Sequence, residues 1–176
     1  VEPAVKPTPT FPVQGEKAPG VFNFRWDGSS SVYEIIVSDD AEMKNVLARK
    51  EVEANFVPSV DVCAFEADKT YYWKVVARQN NAADVTSDVN SFTVDAFRVI
   101  SPENGATGCD DNLTVEWTPM GEVTYHVHIS SMVDMSDVVY ETDVTSSSVQ
   151  IPQYTLAGGT TYYLQVSAEV DGIAFN

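Results

Sequence analysis

Apolar and polar residues alternate along two closely similar stretches of this chain. Thr70-Tyr71-Tyr72-Trp73-Lys74-Val75-Val76-Ala77 places Tyr71, Trp73, Val75 and Ala77 on one face, and Thr161-Tyr162-Tyr163-Leu164-Gln165-Val166-Ser167-Ala168 does the same with Tyr162, Leu164, Val166 and Ala168. Successive strand side chains point to opposite faces, so each stretch reads as a β-strand with one face buried. Six residues before each first tyrosine stands an apolar residue, Phe65 or Leu156, which marks a corner in the chain.

The same period of two recurs on both sides of these stretches. In the first half it predicts a strand over 10–13, confined to a sheet edge by Pro9 and Pro12, followed by a turn over 14–20. Residues 21–26 place Phe22, Phe24 and Trp26 inward, and residues 32–38 place Tyr33, Ile35 and Val37 inward. Further strands are expected at 46–52, 55–60, 71–78 and 85–94, which makes seven.

Only Asp95 and Ala96 separate Val94 from the next apolar run at Phe97. There follow a strand at 97–100, a turn-rich connection at 102–112 and a strand at 113–117 that ends on Trp117. Trp26 and Trp117 are 91 residues apart, as are Tyr71 and Tyr162, whereas Tyr33 and Tyr125, or Met43 and Met135, are 92 apart. One inserted loop residue accounts for the difference, and the plan is duplicated. The reading is therefore all-β: a proline-rich tether over 1–9, a seven-stranded sandwich over 10–95 and a second over 96–176. Asp171-Gly172 reads as a hairpin turn, with 173–176 beginning an incomplete last strand. A sheet edge left open in this way is a place where a neighbour can add a strand.

Composition narrows the partners. The chain has 26 acidic and 10 basic residues, a net charge of −16, and every basic residue except Arg98 precedes Ala96. Such a surface repels nucleic acid and anionic membrane, and no apolar run reaches the roughly 20 residues that span a bilayer. No apolar signal segment precedes Val1, so the expectation is a processed form or a piece of a longer protein. Cys63 and Cys109 lie one in each half, too far apart in the expected topology to bridge, and are expected as free, mostly buried thiols.

A tryptophan closing the second strand, a tyrosine opening the third, and apolar-x5-Tyr-x-apolar-x-Val-x-Ala at the sixth resemble the fibronectin type III repeat. The resemblance covers the chain apart from the tether. Phe65 stands where that family usually has leucine, and Ala67 and Gly158 stand where it often has proline. The Thr-Tyr-Tyr wording and the Ser-Pro-Glu-Asn-Gly-Ala opening of the second unit look most like bacterial versions. Such units occur in surface lipoproteins and glycan-processing proteins of gut anaerobes, including the starch-utilisation type of outer-membrane lipoprotein. The resemblance implies a non-catalytic, extracellular module pair that spaces or presents other domains. Neighbouring domains or a polysaccharide are its expected partners, and no cofactor is implied.

Among candidate sites, His126-Val127-His128 puts two imidazoles on the solvent face of one strand. Two ligands alone make a weak metal site, so a polar sheet face is the better reading. On the adjoining strand Tyr163, Gln165 and Ser167 share that face. In the first unit Tyr72, Lys74 and Val76 lie beside Glu34 and Ile36. An exposed tyrosine flanked by amide and imidazole groups suits a sugar ring, so Tyr72, Tyr163, Gln165, His126 and His128 are the candidate ligand-binding residues. The alternative is cross-strand packing on a solvated sheet, with Ile36, Tyr72 and Val76 better suited to touching another domain. Asp39-Asp40, Asp110-Asp111 and the Asp134, Asp137 pair match no calcium-loop spacing and read as turn residues. Gly158-Gly159 reads as a turn as well, and no serine or cysteine stands in a nucleophile motif.

Overall fold

The computed structural model describes residues 5–170 and 173–176, so the expected turn at Asp171-Gly172 lies outside the described residues. The protein is all-β, with four sheets in two units, Val1–Ala96 and Phe97–Asn176.

The first unit runs β1 (Thr8–Phe11), β2 (Glu16–Ala18), β3 (Asn23–Asp27), β4 (Tyr33–Ser38), β5 (Val46–Val52), β6 (Phe56–Pro58), β7 (Thr70–Ala77), β8 (Val85–Thr86) and β9 (Asn90–Val94). One sheet has the order β1-β3-β6, and the other β2-β9-β7-β4-β5, with β8 also on β7. Seven strand positions result, the first and last of them broken in two.

β1 lies at a sheet edge as expected, but it starts two residues early and takes Thr8 and Pro9 out of the expected tether. Pro7 and Pro9 are buried, and Pro9 faces Trp26 in the ladder. An edge position tolerates a ring nitrogen with no hydrogen to donate. β2 was expected as part of a turn. Its three residues pair in parallel with Phe92, Thr93 and Val94, and only Ala18 is buried, so no apolar alternation announces it. The expected strand over 85–94 breaks because Ser87 intervenes: its hydroxyl accepts from the Val75 amide at 2.9 Å, and its own amide donates to the Val75 carbonyl.

The inward faces hold the core. Phe24, Tyr33, Ile35, Val37, Trp73, Val75 and Ala77 are fully enclosed, and Phe22, Trp26, Tyr71 and Phe92 nearly so. Phe24 meets Trp73 and Phe22 with ring centroids 4.9 and 4.8 Å apart, both edge-on, and Phe65 meets Tyr71 at 4.9 Å. Edge-on pairs set the positive rim of one ring against the negative face of the next, which adds to the burial of their area. The Trp73 indole donates to the Pro12 carbonyl at 2.8 Å, so this buried N–H is satisfied.

The second unit runs β10 (Val99–Ser101), β11 (Thr114–Trp117), β12 (Tyr125–Ser130), β13 (Val138–Val144), β14 (Ser148–Gln150), β15 (Tyr163–Val170) and β16 (Ile173–Phe175). Its sheets are β10-β11-β14 and β13-β12-β15-β16. Aliphatic residues replace several aromatics of the first unit: Leu113, Val115, Leu156 and Leu164 occupy the places of Phe22, Phe24, Phe65 and Trp73. β16 pairs with Ala168, Glu169 and Val170, as β8 pairs with Val76 and Ala77. Among the described residues no strand stands where β9 covers Tyr71 and Trp73. Tyr162 and Leu164, expected inward, are accordingly only half-buried, while Val166 and Ala168 are buried.

Both corners are tied by a tyrosine. The Tyr71 hydroxyl accepts from the Glu66 amide at 2.8 Å, and the Tyr162 hydroxyl from the Ala157 amide at 2.9 Å. The loop after the third strand position is also built twice. Buried Ser38 donates to the Asn45 carbonyl and accepts from the Asp40 amide, and buried Ser130 donates to the Asp137 carbonyl and accepts from the Met132 amide. Met43 and Met135 hold the same left-handed backbone, with φ of 57° and 58°.

Candidate functional site

The outer face of the second unit's larger sheet gathers its candidate residues. Register sets His126 between Asp143 on β13 and Ser167 on β15, and His128 between Glu141 and Gln165. Tyr163 lies across from Ser130, one step further along, with 39% of its surface exposed. The structure thus brings His126, His128, Tyr163 and Gln165 onto one face.

It also adds two residues that the sequence reading did not name. His126 Nδ1 lies 2.6 Å from Asp143 Oδ1, and His128 Nε2 lies 3.8 Å from Glu141 Oε2. A carboxylate can only accept, so Nδ1 of His126 carries the hydrogen, and in the neutral ring Nε2 keeps an accepting lone pair. The inward alternation of Tyr140, Thr142 and Val144 was the available signal for Glu141 and Asp143 on the outer face. Pairing them with the histidines needed the register of the β12–β13 hairpin. Among the described residues no group of three or more His, Cys, Asp or Glu side chains is placed to hold a metal ion. The face therefore offers an aromatic ring, an amide, two imidazoles and two carboxylates, a set suited to hydroxyl groups.

The matching face of the first unit differs from expectation. Tyr72 is half-buried, and Glu34, Ile36 and Val76, expected on an open patch, are buried. Val76 lies between Glu34 and Thr86 in the ladder, and long basic side chains surround Glu34 and Ile36. Glu34 is held by Arg49 at 2.9 Å and by Arg78, which also reaches Asp84 at 2.5 Å. Arg49 and Lys74 flank Ile36 in the ladder, where methylene stems lie over an apolar neighbour. Tyr72, on the first unit, is across from Ser38.

The acidic turns serve as turns. Asp40 accepts from the Lys44 and Asn45 amides, and these bonds, led by the one from Asn45, hold its carboxyl at about 2 against an ordinary 3.8. Hydrogen bonds from the Ser136 hydroxyl and amide lower Asp134 in the same way. Both cysteines are free. Cys63 is half-buried, and burial raises its thiol, whereas Cys109 is exposed, contrary to expectation, because the connection that carries it packs few side chains around it.

In each unit a three-stranded sheet faces a larger one, with a tryptophan on the second strand position and a tyrosine corner before the sixth. Both units are fibronectin type III-like β-sandwiches. No family model matches the chain, and no curated protein matches it. Among solved structures it is similar to the chicken CNTN1 FN1-FN3 domains, at 16% identity and a TM-score of 0.42, over 100% of this chain and 65% of that one. It is also similar to the fibronectin(III)-like modules of Clostridium thermocellum CbhA, at 13% identity and a TM-score of 0.33, over 97% of this chain and 89% of that one. The fold assignment rests on strand order, register and the two corners. No helix of the described residues is long and apolar enough to cross a membrane.

Proposed function

We propose that this chain is a non-catalytic pair of extracellular modules that spaces or presents neighbouring domains of a larger surface protein. The observation that carries this reading is the way the junction is anchored. The Asp95 amide donates to the Ala18 carbonyl within the first unit at 2.8 Å. Phe97 stacks on Tyr125 within the second, with ring centroids 6.3 Å apart and planes 11° apart. Ala96 alone separates the two anchors, which leaves few backbone torsions to absorb reorientation. Solution scattering with residual dipolar couplings tests this. A single narrow distribution of orientations is expected, and freely reorienting units would overturn the spacer role.

A second reading is favoured by the outer face of the second unit, where Tyr163 stands exposed beside Gln165, His128 and His126. Here the modules take part in glycan capture, as in the surface lipoproteins of gut anaerobes, or serve as accessory domains of a glycan-degrading enzyme. Tyr163 stacks on a pyranose ring, and Gln165 and the imidazoles meet its hydroxyls. Binding to soluble starch and other polysaccharides, followed by affinity electrophoresis, is the measurement. Tyr163→Ala is expected to abolish retardation, and equal retardation of wild type and variant would remove this location.

A further inference from the structure

The second unit exposes an apolar patch at one end of its larger sheet. Met132 and Val133 at the tip of the β12–β13 loop are 51% and 72% exposed, and Val138 and Val139 at the bulge that opens β13 are each about 40% exposed. Val138 and Tyr163 flank Ser130 in the ladder, Val139 follows at the bulge, and Met132 and Val133 lie two and three residues beyond Ser130, so the five exposed residues fall at one end of the sheet.

The loop does not need these apolar residues. The first unit builds the same loop, with the same serine bonds and the same left-handed methionine, and places Asp40 and Ala41 where the second has Met132 and Val133. Since the first unit builds the loop with an aspartate and an alanine, the loop does not require an exposed methionine and valine, and their exposure points to another use. Patches of this kind on soluble domains mark interaction surfaces.

Charge selects the occupant. Asp134 and Asp137 lie in the loop itself, Glu141 and Asp143 continue along β13, and Arg98 is the second unit's one basic residue. Hydrogen bonds from Ser136 keep Asp134 ionised. A second copy of a chain with net charge −16 is repelled from this rim, as is an anionic membrane. We infer that the Met132, Val133, Val138, Val139 and Tyr163 patch is a docking surface for a protein segment with an apolar centre flanked by lysine or arginine. Apolar contact supplies the affinity and the acidic rim the steering and register.

The test is selection from a displayed random peptide library on the immobilised whole chain. Enriched sequences are expected to carry an apolar core flanked by Lys or Arg. Synthetic copies of them should bind the chain at least tenfold more weakly once Met132→Asp and Val133→Ala are introduced together, and more weakly at 0.5 M than at 0.05 M salt. That double variant grafts residues the first unit already uses in this loop, so it retains the fold, which hydrogen exchange of the Ser130 and Ser136 amides checks. Val139→Lys provides an independent loss on the same patch. Peptides without basic bias, or binding unchanged by both variants, would overturn the proposal. So would self-association through these residues in sedimentation velocity, which would make the occupant a second copy.

Discussion

The Tyr71 hydroxyl accepts a hydrogen bond from the backbone amide of Glu66, five residues earlier, and Tyr162 repeats the bond with Ala157. Each ring is thereby tied to the loop that precedes its own strand, and the corner is set by one local contact. Burial separates the two cases, since Tyr71 is enclosed by Phe65 and Phe92 while Tyr162 is half-exposed.

Tyr71→Phe is expected to destabilise the first unit by about 1–2 kcal/mol, because the Glu66 amide loses its partner in a part-buried position. Tyr162→Phe should cost less than about 1 kcal/mol, because water reaches the Ala157 amide. Urea titration followed by peptide-resolved hydrogen exchange separates the units. Equal losses at both corners would contradict the argument from burial.

Glu34 is buried between Arg49 and Arg78, so either arginine alone still neutralises it. Arg49→Met and Arg78→Met should each cost about 1 kcal/mol, discounted for the exposure of the guanidinium groups. Together they leave a buried charge uncompensated, and the double variant should lose more than the two single losses combined. A thermodynamic cycle from urea midpoints checks this, and strict additivity would show that Glu34 is solvated.

Asp40 is held at about 2, below its ordinary 3.8, first by the Asn45 amide. A depressed carboxylate contributes stability that is complete above the unfolded value and is lost as pH falls through the folded one. The bonds to Lys44 and Asn45 should therefore persist at pH 5 and fade between about pH 4 and 2. Amide chemical shifts of Asn45 against pH report the midpoint. A midpoint near 3.8, or a shift that survives in Asp40→Asn, would show that these bonds do not hold the loop.

Gly28 touches a side chain that cannot yield. A β-carbon there would lie 2.5 Å from the Tyr33 hydroxyl and 3.1 Å from its ring, and Tyr33 is fully buried while its hydroxyl accepts from the Ser30 amide at 2.8 Å. Gly28→Ala should destabilise the first unit by about 1–3 kcal/mol. Restoration of much of this loss by Tyr33→Phe, which removes the clashing oxygen, would confirm the cause. A neutral Gly28→Ala would mean that the loop moves freely.

Strand alternation was legible wherever one face is buried by large side chains. Phe22, Phe24, Trp26, Tyr33, Ile35 and Val37 are inward as their spacing requires. β2 was not legible, because a three-residue polar strand is held by backbone pairing with β9 rather than by an apolar face. The break between β8 and β9 escaped for a related reason, since the Ser87 side chain there stands in for a backbone group.

At the candidate site the sequence by itself determined which residues share a face. His126 with His128, and Tyr163 with Gln165, follow from a period of two that is a local property of the backbone. What faces them was decided only by tertiary structure. Asp143 and Glu141 meet the histidines, and Arg49 and Arg78 close over Glu34, through the register of paired strands rather than through the spacing within any one of them. Burial of Ile36 and Val76, and exposure of Met132 and Val133, likewise depend on what lies over each position once the sheet has formed. Alternation assigns a side, and only the packed neighbours determine whether that side meets water.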